Sequence, residues 1–106
     1  MGMDEMQEQE VSKNKAIRGY IIRALAKGSQ NTLFIRQITN ALIADGIILT
    51  PDISKQVEYL EESGYIMFPG VRATAYNAFR RDAAIKLTRK GVDLVEGTIS
   101  DPGVDV

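Results

Sequence analysis

The stretch TPDISKQVEYLEESGYI, residues 50–66, combines the signals of a helix start, an amphipathic helix and a strand start. Thr50 is a good N-cap, and Pro51 fits the first helical position because its missing N–H costs nothing there. Apolar residues at helical spacing predict one buried face: Ile53, Val57 and Leu60. Gly64 is expected to end this helix, and the β-forming residues that follow it predict a strand.

Two more amphipathic helices are predicted upstream of this stretch. The first runs to about Lys27 with Ser12 or Asn14 as its cap, and the second runs to about Asp45. Residues 33–35 are either a short extended piece or the start of the second helix. The apolar residues recur at helical spacing in both: Ile17, Tyr20, Ile21, Ala24 and Leu25 in the first, and Ile35, Ile38, Leu42 and Ile43 in the second.

A hairpin and a short helix are predicted downstream. Residues 65–68 and 83–88 have the composition of two strands, and Thr88 is expected to cap a last helix over residues 91–96. The order helix, helix, helix, strand, basic loop, strand, helix predicts an α+β fold, mainly α. It is the order of a winged helix-turn-helix with a three-helix core, a two-stranded wing and a short C-terminal helix. An unrelated small α+β domain with a hairpin is the alternative.

The domain boundaries follow from the same reading. Residues 1–11 are predicted to be a flexible acidic N-terminal segment, either a frayed tail or a helical lead-in. Residues 12–97 are predicted to be the winged-helix domain, and residues 98–106 a polar C-terminal tail.

Composition narrows the class of function. The 106 residues are 44% hydrophobic and 25% charged, which is typical of one globular domain. The sequence contains no Cys and no His, so it lacks thiolate metal ligands, an imidazole base and a Cys nucleophile. No apolar run is long enough for a membrane span, and the N-terminus does not resemble a signal peptide. We therefore expect a cytoplasmic protein that is not an enzyme, uses no cofactor or metal and does not bind a membrane.

Charge is segregated along the chain. Residues 65–90 carry six Arg or Lys against one acid, whereas residues 52–62 carry four acids against one lysine. A basic hairpin suits phosphate contact or minor-groove insertion, and the start of the third helix is the part that meets base edges in this motif. The predicted DNA-binding residues are Ser54, Lys55, Gln56 and Tyr59 on the helix and Arg72, Tyr76, Asn77, Arg80 and Arg81 on the wing.

The acidic residues of the third helix complicate that prediction. Asp52 complements the positive end of the helix dipole, and Glu61 and Glu62 lie at least a turn further along. Glu58 could pair with Lys55 or accept a hydrogen bond from a cytosine amino group. Duplex DNA is the predicted partner, bound by a homodimer. A protein–protein interaction module that uses the acidic third helix is the alternative.

Two segments resemble known winged-helix proteins. LTRKGVDLVEG, residues 87–97, is similar to the strand-to-helix segment that closes many bacterial winged-helix regulators, and VEYLEESGYI, residues 57–66, resembles the end of their third helix and the start of the wing. Across residues 16–104 the chain resembles small winged-helix proteins encoded in Mu-like prophages. The matching residues are Asn31, Thr50, Leu60, Glu62, Gly64, Leu87, Thr88, Gly91, Asp93, Gly97, Pro102 and Gly103.

That resemblance implies a phage-encoded DNA-binding protein with a role in transcription regulation. The chain departs from the pattern in its wing, which is longer and more basic, and in its C-terminus, which lacks a basic end. The individual DNA contacts are therefore predicted from this sequence and not from the resemblance.

Overall fold

The computed structural model describes residues 4–70 and 72–106, and in that part of the chain the structure is α+β and mainly helical, as predicted. Three short antiparallel strands form one sheet in the order β1-β3-β2. The elements in chain order are α1 (Glu5–Lys27), a 3-10 turn (Ser29–Asn31), β1 (Thr32–Phe34), α2 (Ile35–Ala44), α3 (Ser54–Glu62), β2 (Ile66–Met67), α4 (Ala78–Arg81), β3 (Ala84–Leu87) and α5 (Arg89–Val95).

Helix α1 begins well before its predicted start near residue 12. Asp4 Oδ1 accepts a hydrogen bond from Gln7 N at 2.8 Å, and Gln7 Oε1 accepts one from Asp4 N at 3.3 Å. This capping box satisfies N–H groups that a first helical turn leaves free. The prediction of a cap at Ser12 or Asn14 is wrong, and residues 5–11, predicted to be flexible, are helical. Residues 1–3 of that predicted segment lie outside the described residues.

Helix α3 begins later than predicted. Thr50 and Pro51 lie in the turn before it, so their predicted roles as N-cap and first helical residue are wrong. Asp52 Oδ1 organises the turn by accepting hydrogen bonds from Ser54 N at 3.1 Å and Ser54 Oγ at 2.6 Å. The predicted buried face is confirmed, since all three of its residues are at most 3% exposed: Ile53, Val57 and Leu60.

The sheet has one strand more than the predicted two-stranded hairpin. β3 lies in the middle, pairing with β1 through Leu33 opposite Ile85 and with β2 through Ile66 opposite Leu87. Ile85 and Leu87 face the core, as the alternation of their segment predicts. The extra strand is β1. It overlaps residues 33–35, for which the sequence left two possibilities open: a short extended piece or the start of the second helix.

The core lies between the inner face of the sheet and the apolar stripes of the helices. Its fully buried residues come from every layer: Ile21, Ile22, Leu25, Ile38, Leu42, Leu60, Ile85 and Leu94. Burial of each Leu or Ile side chain contributes about 1.5–3 kcal/mol. Thr88 caps α5, as predicted, by accepting a hydrogen bond from Gly91 N at 3.1 Å. None of the helices in the described residues has the length and apolar character needed to cross a membrane.

The last nine residues, 98–106, are called the C-terminal segment below, and they pack back along α1. Val104 is buried. Asp105 N donates a hydrogen bond to Lys15 O at 3.2 Å, and Arg23 Nη1 donates to Asp105 O at 2.7 Å. The predicted polar tail after residue 97 is therefore part of the packed structure, and the boundary drawn there is corrected.

Tyr65, which lies between α3 and β2, holds the first half of the C-terminal segment in place through Asp101. Its hydroxyl donates to Asp101 Oδ2 at 2.6 Å, and Gly103 N donates to Asp101 Oδ1 at 2.8 Å. Burial and this hydrogen bond raise the pKa of Tyr65 to about 12, and the same bond lowers the pKa of Asp101. Both groups therefore keep their bonded protonation states across the neutral pH range.

Candidate nucleic-acid interface

The four residues predicted to read bases at the start of α3 lie on different sides of the helix. Lys55 is exposed and Ser54 is half-buried, with its hydroxyl bonded to Asp52. Gln56 is only 9% exposed, and Tyr59 is half-buried. Lys55 is therefore the most accessible of the four, and Ser54, whose hydroxyl proton is donated to Asp52, could only accept a hydrogen bond from a ligand.

Gln56 and Tyr59 face α1. Gln56 Oε1 accepts a hydrogen bond from Arg18 Nε at 2.8 Å, and Gln56 Nε2 donates to Asn14 Oδ1 at 2.8 Å. The Arg18 guanidinium carbon lies 3.6 Å from the centroid of the Tyr59 ring, which is cation–π geometry. Both side chains are therefore engaged in contacts that hold α3 against α1.

Residues 68–70 and 72–83, called the hairpin loop below, are bound to α2 in their second half. Arg36, in the first turn of α2, donates through Nε to Phe79 O at 3.1 Å and through Nη2 to Arg80 O at 3.0 Å. Its backbone N donates to Asp82 Oδ1 at 3.2 Å. The second half of the loop, including α4, is thus bound to the start of α2.

This attachment positions two of the five predicted wing residues. Arg80 and Arg81 are exposed at the end of α4, and Arg36 binds the carbonyl group of Arg80 and that of the residue before it. Because the α2 amides nearby already donate to Asp82 and Ala83, they are not free to bind a phosphate. Any anion at this end of the molecule would meet the two arginine side chains.

The other three predicted wing residues have mixed roles. Asn77 is structural, since its Oδ1 accepts from Thr74 N at 2.8 Å and its Nδ2 donates to Arg72 O at 3.2 Å. Arg72 is exposed and has a positive φ of 69°. Tyr76 is 70% exposed, and its hydroxyl contact with the Glu58 carboxylate on α3 raises the pKa of Tyr76.

The hairpin loop and the start of α3 share a shallow groove of about 350 Å³. Its walls are Tyr76 and Phe79 from the loop and Asp52 and Ser54 from the α3 side. The hydrogen bonds from Ser54 lower the pKa of Asp52, so its carboxylate stays charged. Asp52 therefore repels a phosphate from this groove. The attractive cations of α4 are the exposed Arg80 and Arg81, which follow the groove residue Phe79 in the chain.

Three basic residues outside the hairpin loop stabilise the fold: Arg18, Arg23 and Lys90. Arg18 Nη1 donates to Gly103 O at 3.1 Å, and Arg23 holds the end of the C-terminal segment. Lys90 donates to Ser63 O at 2.9 Å with its ammonium 5.0 Å from the Tyr65 ring centroid. The sequence did not indicate these roles, because each acceptor is a backbone carbonyl or a ring far away in the chain.

Searches for metal ligands and for relatives add no further assignment. Among residues 4–70 and 72–106, no group of three or more metal-binding side chains could hold an ion. No family model matches the chain, and neither a curated protein nor a solved structure matches it.

Proposed function

We propose that the chain is a winged helix-turn-helix protein. The support is the order α1, β1, α2, α3, β2, loop, β3 together with the sheet order β1-β3-β2, in which the hairpin follows directly on the third helix. In this proposal α2 and α3 form the helix-turn-helix, and the hairpin loop is the wing. The turn of residues 45–53 is longer than the three or four residues of a minimal motif.

We infer that the protein binds duplex DNA, as a regulator of transcription and not as an enzyme. The observation that carries this inference is the attachment of the hairpin loop to α2, in which Arg36 binds the carbonyl groups of Phe79 and Arg80. The side chains of Arg80 and Arg81 remain exposed on the loop fixed in this way. Arg80 and Arg81 would contact phosphate, with Arg72 as a further cation on the loop. Ser54 and Lys55 would face base edges.

In this proposal α3 contributes little to the electrostatic attraction between the protein and the DNA phosphates. Glu61 and Glu62 are exposed, and Glu58 lies under Tyr76. Like charges repel, so these carboxylates oppose the approach of phosphate along the second half of the helix. The wing therefore supplies most of the attraction, and binding is expected to be weak on random sequence and strongly dependent on salt.

Arg80→Ala combined with Arg81→Ala is expected to lower the affinity for a random-sequence duplex at least tenfold. Each lost phosphate contact also removes about 0.9 from the slope of log K against log salt, so the slope should flatten by about 1.8. The measurement is fluorescence anisotropy of a labelled duplex, titrated at several salt concentrations.

A matched control is available for this charge change. Lys27 and Arg89 are also exposed, but they lie at the end of α1 and at the start of α5, away from the hairpin loop. Replacing both with Ala removes the same charge and should change the affinity by less than about twofold if contact, and not net charge, is responsible. Equal losses in the two double variants would contradict the wing assignment.

A second function is favoured by one observation. Because Gln56 and Tyr59 bind α1, the exposed surface of α3 is dominated by the carboxylates of Glu61 and Glu62. Such a surface suits a basic protein partner. Wild-type protein that fails to bind duplex even at low salt would favour this interaction module over DNA binding.

A further inference from the structure

The first half of α1 extends beyond the packed core. Ile17 is the first buried residue of the helix, and every side chain from Glu5 to Ala16 is exposed or half-buried. This stretch rises roughly 18 Å, and an isolated helix of that length is marginal in water. The sequence nevertheless begins it with a capping box at Asp4. The cap and the continuity with the buried half of α1 keep the stretch helical, and its exposed side chains leave a face open to a partner.

One face of the stretch borders an open groove of about 790 Å³, called the α1 groove below. Its other wall includes Ile48, Leu49 and Ile53 from the turn before α3. Met6 and Leu49, at its rim, are 80% and 93% exposed. Two large apolar side chains exposed at one groove are the kind of surface that a partner covers.

The residues of α1 on that face have the spacing of a coiled-coil seam. Met6, Glu10, Lys13 and Ile17 follow one another at intervals of four, three and four residues, and all four line the α1 groove. The seam is therefore apolar at both ends and carries one acid and one base in the middle.

We propose that a second copy of this chain fills the α1 groove with the same stretch of its own α1, running antiparallel in a two-fold dimer. In such an isologous interface each contact occurs twice. With the two-fold axis passing between Val11 and Ser12, Met6 of one copy lies over the part of the groove that the largely buried Ile17 of the other copy lines. The same register brings Glu10 of one copy against Lys13 of the other.

The charges select this partner and this direction. A parallel pair would set Glu10 against Glu10 and Lys13 against Lys13, whereas the antiparallel pair forms two ion pairs of opposite sign. The positions that flank the seam are uncharged, so they do not oppose either arrangement: Gln7, Gln9, Asn14 and Ala16. Leu49 of each copy would be covered by the helix that the other copy inserts.

The proposal is tested by the mass of the full-length protein in sedimentation equilibrium, without nucleic acid. The result is therefore independent of the proposed function. Wild-type protein is expected to form a dimer of twice 11.7 kDa at high micromolar concentration. Glu10→Lys alone and Lys13→Glu alone should each weaken dimerisation at least tenfold, because each creates like-charge contacts.

The double variant with Glu10→Lys and Lys13→Glu should restore the dimer, since it exchanges the two charges and recreates both ion pairs. Lys15→Glu is the matched control, because Lys15 lies on the opposite side of the helix from the seam and should leave the dimer unchanged. Circular dichroism of each variant verifies that the helix content is retained. A wild-type monomer at millimolar concentration, single variants that dimerise as well as wild type, or a double variant that stays monomeric would overturn the proposal.

Discussion

Gly91→Ala is expected to destabilise the fold by about 3 kcal/mol, because it adds a methyl group to a tightly packed position. Gly91 is a buried residue of α5, and a Cβ built there would lie 2.2 Å from Tyr65 O and 2.9 Å from Leu87 Cδ2. Tyr65 O is a backbone atom that already accepts a hydrogen bond from Thr88 N at 3.0 Å, so it cannot move aside without loss of that bond. The gain in helix propensity, about 1 kcal/mol, is smaller than this cost.

Urea unfolding followed by circular dichroism measures this loss. Gly70→Ala is the matched control, because a Cβ at Gly70 meets no atom within 4 Å and the residue has no positive φ. The control should change the free energy of unfolding by less than about 0.5 kcal/mol. If Gly91→Ala were as stable as wild type, the close packing of α5 against the end of α3 would be contradicted.

Gly19→Ala is expected to cost about 2 kcal/mol by displacing the C-terminal segment from α1. Gly19 is buried in the middle of α1, and a Cβ there would lie 1.6 Å from Asp105 O. The segment would have to lift away, which exposes Val104 and breaks the Asp105 N to Lys15 O bond. Hydrogen exchange should show loss of protection at the Asp105 amide, together with a lower midpoint of thermal unfolding.

In a shortened chain the same substitution is expected to raise the free energy of unfolding instead of lowering it. In protein ending at residue 100 nothing crosses α1 at Gly19, so alanine there should stabilise α1 by up to about 1 kcal/mol through its higher helix propensity. Destabilisation of equal size in the full-length and shortened chains would show that Gly19 serves some contact other than the C-terminal segment.

Local patterns in the sequence predict much of the helical fold. The buried face of α3 and the cap of α5 at Thr88 follow from spacing and residue type alone, and both agree with the structure. These features depend on interactions within a few residues, so a sequence contains enough information to place them. The same holds for the alternation that turns Ile85 and Leu87 inward.

The features that were missed depend on contacts between distant residues. β1 exists because Leu33 pairs with Ile85 in a strand some fifty residues later, and three residues alone carry no strand signal. From the sequence alone Gln56 is expected to be an exposed polar residue. In the structure it is buried because it hydrogen-bonds to Arg18 and Asn14 on α1. Thr50-Pro51 is a strong helix-start signal, yet the bonds of Asp52 to Ser54 start α3 later.

One hint of the packed C-terminal segment was present in the sequence. Glycine is unfavourable in the middle of a helix, so Gly19 within an otherwise good helical stripe indicates that something passes close to the backbone there. The sequence does not say which segment that is. In the candidate interface, likewise, the Arg residues were predictable from composition, whereas their attachment to α2 through Arg36 was not.

The most direct test of the central claim is a ¹⁵N NMR titration of the protein with a random-sequence duplex at low salt. We expect the amide signals of Ser54, Lys55, Arg80 and Arg81 to shift progressively, while those of Gln56 and α5 change little. Shifts confined to other surfaces, or no shift at a duplex excess, would contradict DNA binding through the hairpin loop and the start of α3.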